Sequence, residues 1–231
     1  MITVLINIFL KKYSNTILIY SRLSLRKLLG SRFRAIVVSL MTLLMALIPV
    51  LSRSQNQHLN YIVFQGGEPI GWLRLEKNIA GNNSNLSLSS EIKKWMIFEI
   101  TVTAKEFSTF TSGKLIYSSQ FRKTNGDTKI DKQTRFVADK YEVMKNGGKE
   151  VLPVTFIGTN LLSLYFQEPK GLDMVYCDNH ECFVKITRTD DGGYKVKFPD
   201  GNSNIFYYST GVCTRIMVNH TFYSVAILLN P

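Results

Sequence analysis

The first 67 residues contain neither aspartate nor glutamate; the first acid of the chain is Glu68. Over the same stretch eight basic side chains accumulate: Lys11, Lys12, Arg22, Arg26, Lys27, Arg32, Arg34 and Arg53. Residues 1–54 therefore hold +8 of the +11 formal charge, and the 20 basic and 17 acidic residues after them leave only +3. A chain of +11 points to a polyanion, but charge confined to a leader points to an address, and nucleic acid drops out as the partner of the rest. Histidine and cysteine are scarce, at three each. There is no H-E-x-x-H, no P-loop, no G-x-S-x-G elbow and no D-x-D-x-D-G calcium loop, so the sequence signatures of these metal, nucleotide and nucleophile sites are missing. With 45% apolar and 12% aromatic residues, disorder and coiled coil are excluded as well.

The leader has the layout of a secretory signal. Arg32 and Arg34 form the positive region, Ala35–Leu51 is the apolar stretch, and Pro49 breaks a helix near its end. Ser52-Arg53-Ser54 places small residues where a signal peptidase reads, so cleavage is expected between Ser54 and Gln55. No cysteine follows the stretch, which argues against a lipid-modified terminus. An uncleaved anchor is the alternative, since 17 residues sit at the short edge of the roughly 17–25 that span a bilayer. A basic region of 34 residues is long for a signal, and the true translation start is expected downstream of Met1. The chain is expected to be exported, to the periplasm or cell envelope, with membrane contact through the leader only.

Residues 55–231 suffice for a single domain with its own core. Clusters of Gly, Asn and Asp punctuate them: Gly66-Gly67, Gly81-Asn82, Asn125-Gly126, Asn146-Gly147, Asp191-Gly192, Asp200-Gly201 and Thr210-Gly211. These residues tolerate the positive φ of tight hairpins. Between them apolar and polar residues alternate, as in Tyr194, Val196, Phe198 against Lys195 and Lys197. The alternation predicts strands near 59–65, 70–76, 85–92, 95–105, 112–124, 128–137, 140–145, 172–177, 182–188, 193–198, 204–209, 212–218 and 221–229. A short helix is predicted over Thr159–Phe166. The expected fold is all-β, a long antiparallel meander curled into an open or closed barrel, with one short helix and an N-terminal signal-like helix. Loops this short leave no room for the crossovers of a parallel sheet.

Cys177 and Cys182 flank Asp178-Asn179-His180-Glu181, which reads as a hairpin loop. Across such a hairpin the two could reach the roughly 5.5–6 Å Cα separation of a disulfide, and an exported chain meets oxidising conditions. Cys213 is the odd one, and could take either as partner. Cys177, His180 and Cys182 offer three metal ligands without a fourth, where structural zinc takes four. His58 and His220 lie apart from that loop, the carboxylates are scattered, and neither catalytic residues nor cofactor nor metal site is assigned. Tyr207-Tyr208 must point to opposite faces of one strand, which places aromatic surface on both sides of the sheet.

From Tyr61 onward the chain resembles an uncharacterised family of exported bacterial β-proteins, a domain of unknown function. The resemblance rests on Gly67-x-x-Ile70-Gly71, the run Ser112–Ser119, Leu164-Tyr165-Phe166-x-Glu168-Pro169, and Phe198-Pro199-Asp200-Gly201-x-x-Asn204. The layout is also similar, in architecture alone, to the curved half-barrels of periplasmic lipoprotein carriers, which hold acyl chains on a concave face. The family implies no activity. The expected function is non-enzymatic binding of a hydrophobic small molecule, a lipid or another envelope component. Pairing through an exposed sheet edge is the alternative, and an envelope hydrolase the third reading. Oligomeric state and ligand identity stay open.

Overall fold

The structure, a computed structural model, describes residues 55–95 and 99–230. The leader, with Ser54 and the expected signal helix, lies outside them, whereas Gln55 is the first residue of β1. Fourteen strands follow in sequence: β1 Gln55–Gln65, β2 Glu68–Ala80, β3 Asn83–Trp95, β4 Glu99–Thr111, β5 Lys114–Thr124, β6 Asp127–Val137 and β7 Lys140–Lys145, then β8 Gly148–Leu152, β9 Met174–Cys177, β10 Cys182–Arg188, β11 Tyr194–Lys197, β12 Ser203–Ser209, β13 Val212–His220 and β14 Tyr223–Asn230. All lie in one sheet of order β8-β7-β6-β5-β4-β3-β2-β1-β14-β13-β12-β11-β10-β9, and every pairing of strands is antiparallel.

The first and last strands thus meet in the middle of the sheet, while its two edges, β8 and β9, are neighbours in sequence. The expected all-β meander is present, and of the two barrel forms it is the open one, with the gap between β8 and β9. Two-residue turns make it possible. Ser112-Gly113, Asn125-Gly126, Ala138-Asp139, Asn146-Gly147 and Thr210-Gly211 all hold positive φ at both positions, the backbone twist that a tight hairpin needs.

Several strands run longer than the sequence reading, Trp95 ends β3 rather than opening the next strand, and three further differences have local causes. Ser112-Gly113, expected to open a strand, is the β4–β5 turn, and β4 runs on to Thr111 rather than ending near 105. Serine at φ 50 is an uncommon turn former, so the sequence places it in the strand that follows rather than in the turn. β8 was not expected: Gly148-Lys149-Glu150 lacks apolar alternation, and only Val151-Leu152 carries any. The expected helix over 159–166 is a 3₁₀ turn, Leu161–Tyr165, begun by Asn160, whose side chain accepts from the Ser163 amide.

That turn belongs to the long connector between β8 and β9, residues 153–173, which lies across the inward face of the sheet. Ile157, Leu162, Leu164 and Phe166 are buried there with Tyr61, Leu75, Leu115, Val196, Phe206 and Ile216 from the strands. Backbone polarity inside the core is met by tyrosines. Tyr141 donates to Leu115 O at 2.8 Å and accepts from the Ile157 amide at 3.2 Å, and Tyr208 donates to Leu164 O at 2.7 Å. Leu115 N also donates to Ile157 O, and Glu168 N to Gly211 O. The connector even extends the sheet edge: Tyr176 N donates to Thr159 O, and Asn160 bridges Tyr176 in parallel. What the curved sheet wraps is chiefly its own chain.

Candidate functional site

Two places on the inward face depart from an apolar core. In the first, the inward-facing residues near the middle of β4, β5 and β6 are polar, and the hairpins align them in rows. Glu106, Gln120, Lys132 and Lys145 form one row, and Ser108, Ser118, Thr134 and Val143 the next. The tip of the β9–β10 hairpin docks on these rows. Asp178 accepts from Ser118 Oγ at 2.5 Å and from Asn160 Nδ2 at 3.0 Å, and the same Nδ2 donates to Ser108 Oγ at 2.8 Å. Lys132 Nζ donates to Asn179 O at 2.9 Å and to Glu181 at 3.0 Å, and Lys145 reaches Glu181 at 2.9 Å. The loop read from sequence as a hairpin is therefore a pinned tip.

Burial sets the charges here. Desolvation, with the neighbouring Asp178 charge, pushes the Glu106 carboxyl up to about 7, against the pull of Gln120 and Arg122. Burial also raises Asp178, opposed by its bonds from Ser118 and Asn160. Glu181 goes the other way: burial disfavours its charge, but the bonds from Lys145 and Lys132 outweigh that and hold it below the usual carboxylate range. The Gln120 Oε1 atom is buried beside Glu106 without a hydrogen-bond partner among the described residues. A depression of about 90 Å³ opens onto Glu106, Gln120, Arg122 and Asn179.

The second place is a cleft of about 260 Å³ at the end of the sheet that carries the β2–β3 and β4–β5 turns. Its walls come from β2, β3, β4 and the connector: Ile79, Leu86, Phe110, Leu164, Phe166 and Leu172. Lys77 lines it too, with Nζ 5.9 Å from the centre of the Phe166 ring. Among the described residues Lys77 has no carboxylate within ion-pairing distance, and desolvation lowers its pKa. Glu168, at the same rim, is already engaged by Tyr194 Oη at 2.8 Å and Lys170 at 3.1 Å.

The residues singled out from sequence are dispersed. Cys177 and Cys182 face one another across β9 and β10 as free thiols. His180, in the turn between them, stacks on Phe198 and lies 3.7 Å from Asp200, so it shares no site with the two cysteines. Cys213 is buried in β13, where Tyr61 Oη donates to its carbonyl at 2.7 Å. His58 sits beside Glu76, and His220 stacks on Tyr223. Among the described residues neither His180 nor Cys213 bonds to Glu106 or Asp178, the convergence a hydrolase reading requires. Among the described residues no three His, Cys, Asp or Glu side chains converge as for a metal ion. Tyr208 points inward, while Tyr207 lies outside under Arg215, whose guanidinium stands 3.9 Å from its ring centre.

Sequence reasoning missed Glu106, Gln120, Lys132, Asn160 and Lys77. A signal existed for Lys132: in the middle of β6, Asp131-Lys132-Gln133-Thr134-Arg135 is polar at both sets of alternate positions, so one polar set must face inward.

A family model described as a domain of unknown function (DUF6134) matches residues 61–230. Among solved structures the chain is similar to a β-barrel-like protein of another domain of unknown function, DUF1849, from Brucella abortus. The TM-score is 0.47 and the identity 10%, over 77% of this chain and 95% of that one. No curated protein matches.

Proposed function

The chain belongs to this family of domains of unknown function, and we propose that it is a non-enzymatic binding protein of the cell envelope whose end cleft takes a short apolar chain with an anionic head. The observation that carries the proposal is Lys77. An ammonium group drawn partly out of water, among apolar walls and without a carboxylate partner among the described residues, is electrostatically incomplete. A carboxylate or phosphate at that point completes it, while Ile79, Leu86, Phe110 and Leu164 receive the alkyl portion. The size restricts the ligand. About 260 Å³ falls below the roughly 300–1,000 Å³ of drug-sized sites, so a long acyl chain does not fit whole. The connector, by filling the inward face, turns the lipid-sized cavity of a half-barrel into this smaller cleft. The leader, read as an export signal, supplies the compartment.

The test is a calorimetric titration of the purified chain with octanoate and with octanol, paired with native mass spectrometry of the protein as isolated. Saturable octanoate binding that is absent for octanol and lost in Lys77→Ala supports the reading. Equal binding of both, or of neither, overturns it.

A second reading rests on the β8 edge. Beyond its pairing with β7, β8 has no backbone partner among the described residues, and Val151 and Met144 are 55% and 48% exposed beside it. An open edge of this kind accepts a strand from a second copy of the chain. Sedimentation over a range of concentrations tests it: self-association abolished by Val151→Lys supports edge pairing, and a monomer throughout removes it.

A further inference from the structure

The β9–β10 hairpin carries an arrangement independent of the cleft. Cys177 is the last residue of β9 and Cys182 the first of β10, and they are direct cross-strand partners on one face. The four residues between them form a closed turn, in which the Glu181 amide donates to Cys177 O at 2.8 Å and Glu181 itself holds φ 57. Directly opposed residues of an antiparallel pair have Cα atoms about 4.5–5.5 Å apart, inside the roughly 4.4–6.8 Å of disulfides. The register alone therefore brings the two strand ends into the range of a disulfide. Cys213 has a different place: its register partner is Tyr208, and its Sγ is directed at Arg215 O.

The two thiols are unequal. Cys177 is 1% exposed, whereas Cys182 is reachable from solvent. Burial pushes the Cys177 thiol up to about 11, which makes it a poor first nucleophile.

We propose that Cys177 and Cys182 are a cross-linking site, closed by thiol–disulfide exchange with an oxidant that carries a disulfide. The Cys182 thiolate attacks one sulfur of the oxidant, forming a mixed disulfide, and the oxidant's other sulfur leaves as a thiolate. Cys177 gives its proton to that departing thiolate and attacks Cys182 Sγ, which displaces the oxidant's first sulfur, and that sulfur takes up from water the proton Cys182 released on becoming a thiolate. Two thiols become one disulfide, and two electrons and two protons leave with the oxidant as its dithiol. The bond ties the two strand ends that hold Asp178 and Glu181, so oxidation fixes the tip that docks on β5, β6 and β7.

The experiment equilibrates the full chain with oxidised dithiothreitol, then counts thiols under denaturing conditions and maps linked peptides by mass spectrometry. The expected count falls from three thiols to one, with a single link joining 177 to 182. Cys213→Ser keeps the pair in place, and its count falls from two to none. Cys182→Ser retains both of its remaining thiols. Three persistent thiols in the wild type, or a link that includes Cys213, overturns the proposal.

Discussion

Ser118, in the middle of β5, donates a hydrogen bond of 2.5 Å to Asp178, sixty residues later at the tip of the β9–β10 hairpin. Both are buried, and the bond joins two distant parts of the one sheet: the fourth strand from the β8 edge and the hairpin that forms the opposite edge. Removing the hydroxyl leaves Asp178 Oδ1 without that donor in a desolvated place. Ser118→Ala is therefore expected to destabilise the domain by about 1–3 kcal/mol. Urea unfolding measures it, and hydrogen exchange at 178–181 should rise in step. A variant as stable as the wild type would mean that Asn160, Lys132 and Lys145 hold the tip without it.

Glu106 gives the neighbouring carboxylate cluster a pH dependence of definite sign. Its folded pKa, about 7, is above the ordinary 4.5 of a glutamate, so the native state binds the proton more tightly than the unfolded chain. The contribution is fully present below about 4.5 and is lost as pH rises through 7. At about 1.36 kcal/mol per unit, the loss is of order 3 kcal/mol. Asp178, also raised, adds in the same direction, whereas Glu181, held low, loses its contribution as pH falls. The difference between wild type and Glu106→Gln isolates the first effect. Its urea-unfolding free energy, followed from pH 4.5 to pH 8, should shift steadily in favour of the variant; a flat difference would remove Glu106 as the cause.

The all-β meander was legible because each strand and turn announces itself within a few residues. Tyr194 to Phe198 alternates visibly, and Asn125-Gly126 supplies its own turn chemistry. The polar rows were not legible, because they exist only once register is known. Glu106 meets Gln120, and Gln120 meets Lys132, through pairings set by turns and interrupted by bulges at Thr109/Phe110 and Arg122/Lys123. One residue of slip would send every polar side chain to the other face. The connector was harder still. Asn160 bonds Ser108 and Asp178, respectively 52 and 18 residues away, and nothing local in its sequence specifies either partner.

Gly71, the last residue of the Gly67-x-x-Ile70-Gly71 motif, explains why that motif ends in glycine. It pairs with Val63 on one side and Ile92 on the other, where β1 shifts register between Val63 and Phe64. A Cβ there would overlap the Glu91 carbonyl oxygen and stand 2.8 Å from the Ile92 Cα, both main-chain atoms that cannot turn aside. Gly71→Ala is expected to cost at least about 1–3 kcal/mol, the usual range for overpacking. A drop in the thermal midpoint of several degrees is the readout. An unchanged midpoint would show that β2 and β3 separate there at little cost.

Ala138 offers the opposite sign. The β6–β7 turn, Ala138-Asp139, has φ of 47 and 61, the same left-handed pair seen in Asn125-Gly126 and Asn146-Gly147. A left-handed backbone costs an ordinary side chain roughly 1–2 kcal/mol, because its Cβ crowds the following carbonyl; asparagine tolerates that region far better. Ala138→Asn should therefore stabilise the domain by about 1 kcal/mol and raise the urea midpoint. Gly113→Ala serves as the mirror experiment, since Gly113 holds φ 76 in the β4–β5 turn and its added Cβ would meet no other atom within 4 Å. Any loss there comes from backbone strain alone. The two variants should move the midpoint in opposite directions by similar amounts. If Ala138→Asn lowers it instead, the β6–β7 hairpin closes through some other turn, and the alignment of Lys132 and Thr134 beneath the hairpin tip must be redrawn.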